Sequence, residues 1–153
     1  MDLGNISSYD DGYRYLLTCI DVFTKRASAV AVKTKSGRDV TEAFEKILAD
    51  GRKPNMVQSD KGTEFLNFTF QSMLKRHDIQ FYTSENEDVK ATVVERFNRT
   101  LKTKMYRFFT AKNTRRYVNV LPDLLHSYNH THHRSIGMTP AEVDDGNEDL
   151  VRA

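Results

Sequence analysis

Three acidic residues, Asp2, Asp60 and Glu95, stand where carboxylates can do metal chemistry on a phosphodiester bond. Glu95 is the most informative. Between Lys90 and Arg116 it is the one acid among nine Lys or Arg residues. At about 100° per residue along a helix, Glu95 shares a face with Arg99, Lys102 and Tyr106, while Val94, Phe97, Leu101, Met105 and Phe108 form an apolar stripe. One face packs, and the other is left for work. The plain alternative is an i,i+4 ion pair between Glu95 and Arg99 on a solvated helix, worth about 0.2–0.5 kcal/mol. Asp60 closes a short strand-like segment, residues 55–59, with Gly62 just beyond, and strand ends in α/β sheets are where sites form. Asp2 lies on the first strand-like segment.

If the first and fourth strands are neighbours, Asp2 and Asp60 approach each other, and a long helix alongside brings Glu95 to the same point. Three uncompensated carboxylates repel and raise one another's pKa, so such a cluster takes hard, oxygen-loving cations, Mg²⁺ or Mn²⁺. Two ions about 3.5–4 Å apart are a known solution for phosphodiester chemistry, one activating the attacking oxygen and the other steadying the leaving oxygen. Water then cuts a strand, or a DNA 3′-hydroxyl joins two. The basic face, with Arg99 and Lys102 nearest to Glu95, would hold phosphates with an affinity that falls as salt rises. Lys61, Lys90 and Arg96 are further candidate DNA contacts.

Other residues compete for these roles. Asp10 and Asp11 suit a turn before Gly12, and Asp21 lies at the far end of the second strand, so Asp2 is preferred as first ligand. His126 and His130 stand at i,i+4, a spacing that can bind zinc, with His132 and His133 beyond. No acid or Cys ligand at matching spacing accompanies them, which favours a structural or DNA-facing role. Tyr128 could suggest a tyrosine recombinase, but the arginines which that chemistry needs have no clear counterparts. Glu64 and Gln71, near Asp60, are explained as well by surface pairing.

The elements that must position these residues are legible from pattern. Asp-Gly at residues 11–12 is a hairpin signal between strands at residues 1–6 and 13–23, and Ala27–Val32 reads as a third strand. A helix over Gly37–Asp50 follows a Ser36 cap, with Val40, Phe44, Ile47 and Leu48 at helical spacing. Strands at 55–59 and 79–83 flank a helix at 68–77. A polar loop at 84–89 leads into a long helix at 91–109, and Thr114 is placed to cap a last helix running to residue 129. The order βββαβαβαα predicts an α/β fold: a five-stranded mixed sheet, three strands antiparallel and two parallel, flanked by helices.

Length and composition agree. With 153 residues, 39% hydrophobic, 29% charged, nine Phe and seven Tyr, the chain is expected to form one globular domain. We expect a core over residues 1–141 and an acidic tail over 142–153. Cys19 is alone, which removes an internal disulfide and fits a reducing compartment. No apolar run is long enough to span a bilayer, so a soluble intracellular protein is expected.

The motifs also resemble a family. SDKGTEF around Asp60 and KATVVERFNRTLKTK around Glu95 are similar to the second and third acidic motifs of DDE integrases. DVFTKRASAVAV resembles the second and third strands of retroelement integrases, and YNHTHHRSIGMTPAEV their closing Tyr-Asn through Pro-Ala-Glu segment. In detail the chain looks closest to Polinton (Maverick) integrases. The 34 residues between Asp60 and Glu95 fall within the family's spacing. The resemblance implies a ribonuclease H-like fold, a homodimer or larger multimer, and metal-dependent processing and transfer of element DNA ends into target DNA, in the nucleus. By position, Asp2, Asp60 and Glu95 fall on the three metal ligands. Only Met1 precedes Asp2, so the chain reads as an N-terminally truncated core, without the zinc-binding N-terminal region of many relatives. The alternative is a decayed or domesticated module that binds DNA or protein without cutting.

Overall fold

A computed structural model describes residues 1, 3, 12–51, 53–83, 89–131 and 138–142, with backbone alone at 89–91 and 142. Asp2, Asp10 and Asp11 lie outside the described residues, as do the loop at 84–88, His132, His133 and the acidic tail. The chain divides into two compact units. One comprises Met1–Leu17 with Val30–Thr92, the other Thr18–Ala29 with Val93–Ala153.

The elements are β1 (Tyr15–Ile20), β2 (Ala27–Val32), α1 (Gly37–Asp50), β3 (Met56–Ser59), α2 (Phe68–Arg76), β4 (Gln80–Thr83), α3 (Val89–Lys112) and α4 (Leu121–Asn129), followed by a 3-10 turn at Pro140–Glu142. Instead of one five-stranded sheet, the described residues form two sheets of two strands, β1 with β2 and β3 with β4. The first expected strand falls largely on residues that are not described. Its two described members still pair: Met1 and Leu16 exchange N–H···O bonds of 2.9 Å, and Leu3 N donates to Arg14 O.

In the first unit, α1 begins where its sequence dictates. Ser36 accepts the Asp39 N–H at 3.1 Å, satisfying one of the helix's orphan donors. Val40, Ala43 and Phe44 point inward from it. β3 and β4 run parallel, from Met56 opposite Gln80 to Ser59 opposite Thr83, and α2 supplies the crossover that parallel strands require. Asn67 caps α2 through Phe70 N, and Lys75 and Arg76 sit in its last turn, where cations suit the helix dipole. Phe70 is the hub of this unit, 1% exposed, with edge-on contacts to Phe44, Phe65 and Phe81 at centroid distances of 5.6, 5.4 and 6.4 Å. Gly37 is needed for a different reason. A Cβ there would lie within 2.3–2.7 Å of the Asn67 side chain, the cap of α2, so a side chain at the start of α1 would uncap the second helix.

In the second unit, α3 buries Phe97, Leu101 and Met105, each 1% exposed, against a cluster that includes Tyr117, Leu121 and Tyr128. Phe109 is buried in place of the expected Phe108, which is half-buried. The chain turns back there through Asn113 in the left-handed region, and Thr114 N donates to Phe109 O, so the covered face shifts at the helix end. Thr114 is not a helix cap. Its hydroxyl accepts from Arg116 N, and α4 starts later, at Leu121, with Pro122 in its first turn, where a missing N–H costs nothing.

Two side chains tie the ends of this unit. Asn129 Oδ1 accepts from Ala27 N at 2.9 Å, and its amide donates back to Ala27 O at 3.0 Å. Arg26 donates to Ala141 O at 3.2 Å. Replacing Asn129 by Ala leaves two half-buried backbone groups of β2 to water or to nothing, and is expected to cost about 1–3 kcal/mol. Urea unfolding read by circular dichroism checks this. A change below about 0.5 kcal/mol, the range of neutral surface substitutions, would mean that the anchor carries no stability.

Candidate nucleic-acid and metal site

Asp60 leaves the end of β3 and makes its own turn. Its Oδ1 accepts the Gly62 N–H at 2.9 Å, Ser59 Oγ donates to the Asp60 carbonyl at 2.8 Å, and the N–H groups of Phe65 and Leu66 both donate to Gly62 O. Gly62 marks the tight turn expected after this strand, and a left-handed φ would be its usual contribution there. It does not adopt one, since among the described glycines Gly12 alone has positive φ. The turn at Asp60 is shaped by the carboxylate, in the manner of Asp residues that bond the backbone two positions on. One oxygen, Oδ1, is thereby aimed, and the carboxylate stays exposed.

Glu95 lies on the exposed face of α3 with Arg96, Arg99, Lys102 and Tyr106. The ion pair that would have explained Glu95 as a surface residue is not formed: among the described residues neither Glu95 nor Arg99 has an ion-pair partner. Among the described residues its carboxylate is thus unpaired, on a helix face otherwise cationic. One turn further on, the buried Oδ1 of Asn98 also has no hydrogen-bond partner. Hard oxygen donors of this kind fit Mg²⁺ or Mn²⁺ and are poor hosts for softer cations. Among the described residues no three His, Cys, Asp or Glu side chains gather to hold a metal, and Asp2 is not among those residues.

The cationic face continues past Lys102. Arg99, Lys102, Thr103, Tyr106, Arg107, Thr110 and Ala111 line a shallow open groove along α3. The two threonines turn their hydroxyls back onto the helix, to Arg99 O and Tyr106 O, and the Tyr106 ring is held edge-on against Phe109 at 5.6 Å. Of the expected DNA contacts, Arg96, Arg99 and Lys102 lie exposed on α3, and Lys61 is exposed beside Asp60. The side chain of Lys90 is outside the described residues.

Two residues were not among the expected DNA contacts, although Arg107 belongs to the basic stretch. Lys25 sits in the turn between β1 and β2 with φ of 62°, its N–H bonded to Asp21 O, and its ammonium lies below the usual lysine range. Partial desolvation is the main cause, Asp21 opposes it, and nearby Arg96 adds to it. A second cation thus stands close to Arg96. Arg107 is the other, identified by its place in the groove. No sequence pattern marks Lys25, because its neighbourhood to Arg96 is made by the fold.

Two of the competing residues have structural roles. Asp21 Oδ1 accepts from Phe23 N and Thr24 N, both at 2.9 Å, so this acid builds the hairpin turn. Tyr128 is buried with its ring 4.9 Å from Phe97, and burial raises its hydroxyl pKa, which disfavours a nucleophilic role. Burial also pushes the Cys19 thiol up to about 12, as for an unreactive structural cysteine. No helix among the described residues is long and apolar enough to cross a membrane.

Residues 1–88 match the integrase core domain family. A transposon-derived protein of Caenorhabditis elegans is 36% identical over 138 residues, covering 90% of this chain and 48% of that protein. The chain spans about half the length of that curated relative, and less of the Pol polyproteins it also matches. The catalytic core domain of the HTLV-2 integrase, in complex with magnesium, superposes with a TM-score of 0.74 at 21% identity, over 84% of this chain and 82% of that one. A chain of the simian T-cell lymphotropic virus intasome, in complex with the PP2A regulatory subunit B56 gamma, superposes with a TM-score of 0.79 at 22% identity, over 88% of this chain and 49% of that one. These likenesses give the chain the ribonuclease H-like α/β fold of retroviral integrase cores. With residues 1–88, more than half of the chain, matching its model, the chain belongs to the integrase core domain family, of the kind carried by transposons and retroviruses.

Proposed function

We propose that this chain is the catalytic core of a DDE-type integrase, trimming and joining DNA ends of a mobile element. The observation that carries the proposal is the exposed carboxylate of Glu95 on a cationic helix face, without an ion-pair partner among the described residues, in a chain whose Asp60 carboxylate is aimed by its own turn. Asp2, Asp60 and Glu95 are the proposed metal ligands. Two Mg²⁺ or Mn²⁺ ions, when bound, would supply Lewis-acid activation of the attacking oxygen and neutralise charge at the leaving one. The chain's own residues do the rest. Arg99, Lys102 and Arg96, with Lys61 and Lys90, hold phosphates and set the register of the duplex, and Arg107 extends that track along α3. Tyr106 offers its ring for a splayed base to stack on.

The HTLV-2 core is described in dimeric and trimeric forms and the simian virus protein in an intasome, which supports a homodimer or larger multimer on DNA. The core would run over residues 1–141, with 142–153 a solvated tail. The finer likeness to Polinton (Maverick) integrases rests on the motifs alone.

The direct test is nicking and joining of duplex oligonucleotides by the purified chain, with Mg²⁺ or Mn²⁺ and with EDTA. Metal-dependent strand cutting or joining that disappears in EDTA is expected. Duplex binding with no cutting in either metal would instead identify a decayed, DNA-binding core.

A further inference from the structure

His126 and His130 stand one turn apart on α4, both exposed. Their rings are stacked, with centroids 3.9 Å apart and planes inclined by 27°. His130 Nδ1 lies 2.8 Å from the carbonyl oxygen of His126. A carbonyl can only accept, so Nδ1 carries the proton, and in the neutral ring Nε2 keeps its lone pair. Metal-binding histidines are prepared in this way, one nitrogen donating to a backbone carbonyl and the other left for the cation. The backbone between them is held firmly, because Tyr128 packs on Phe97 and Asn129 is bonded twice to Ala27. The helix backbone is thus fixed before a cation arrives, and only the two side chains have to turn.

We propose that His126 and His130 form a two-histidine chelate for a late first-row divalent cation such as Zn²⁺, separate from the carboxylates that would hold Mg²⁺. Spacing alone argued against zinc here, because no matching acid or Cys accompanies the pair. The fixed tautomer of His130 and the anchored backbone change that reading. Zn–N bonds of about 2.0–2.1 Å at a tetrahedral angle need nitrogens roughly 3.4 Å apart with both lone pairs converging on the ion, so the two exposed rings must turn out of their stack to chelate. Among the described residues no third ligand joins them, and water completes the coordination. Imidazole prefers Zn²⁺, Ni²⁺ or Cu²⁺, whereas carboxylates and water suit Mg²⁺, so the two sites do not compete.

The test is calorimetric titration of the chain, free of any histidine tag, with Zn²⁺ in saturating Mg²⁺. Circular dichroism confirms that each variant is folded. One Zn²⁺ per chain is expected to bind, more than about tenfold more weakly after His126→Ala or His130→Ala, since even the loss of a supporting residue costs about 10–100-fold. The variant carrying His132→Ala and His133→Ala is expected to bind as the unmodified chain does. The proposal is overturned if the unmodified chain binds no Zn²⁺ under Mg²⁺. It is equally overturned if removing both His126 and His130 leaves the affinity unchanged, or if His132 and His133 are the pair whose loss abolishes it.

Discussion

Replacing Glu95 by Gln is expected to lower metal-dependent DNA joining by at least about 10³-fold, roughly 4 kcal/mol of barrier, while the protein stays folded. The substitution keeps shape and removes one negative charge. Because Glu95 is exposed on α3 and has no ion-pair partner among the described residues, none of the packing described above depends on its charge. Its removal should leave the unfolding midpoint within the small range of neutral surface changes, about 0.5 kcal/mol. A surface glutamate would give neither loss, and a structural one would lose stability together with activity. The separation is read by joining assays beside thermal melts of the same preparation. Joining at the unmodified rate by the Gln variant would remove Glu95 from the site.

The second large effect is expected far from the acids. Phe70→Ala should destabilise the chain by about 3–5 kcal/mol, because it empties the position on which Phe44, Phe65 and Phe81 converge. Domains of this size melt about 2–4 °C lower per kcal/mol, so a midpoint shift of roughly 6–20 °C is expected by scanning calorimetry. Phe65 follows the Asp60 turn directly, with its N–H bonded to Gly62 O. Loosening Phe70 should therefore also blur the geometry of Asp60. A Phe70→Leu variant, which refills most of the volume, is expected to recover most of the loss, and failure to recover would point to the ring contacts themselves.

Much of this was readable from residue order. α1 occupies Gly37–Asp50 as expected, because Ser36 is a strong cap and the apolar spacing behind it is regular. β3, α2 and β4 follow the expected strand–helix–strand order within a residue or so, and α3 divides into a buried and a cationic face as its periodicity demands. Other features were hidden for identifiable reasons. α2 ends at His77 and Asp78, with Asp78 in the left-handed region where Gly would have announced the stop. Thr114 has the chemistry of a cap, yet Pro122 governs where the last helix begins. The Asp60 turn looked like the work of Gly62, since a carboxylate bonding its own backbone leaves no mark in spacing. Lys25 and Arg96 are brought together by the fold alone, and the tautomer of His130 depends on one carbonyl.

The amide of Asn129 has a further consequence for the way this protein behaves among its own copies. A strand edge with open N–H and C=O groups invites a foreign strand to add itself, and folded proteins must blunt such edges. At Ala27 that invitation is already answered, since a side chain from α4 fills the donor and acceptor positions that an intruding backbone would use. The fold thus protects part of its sheet with an amide group that imitates the missing neighbour.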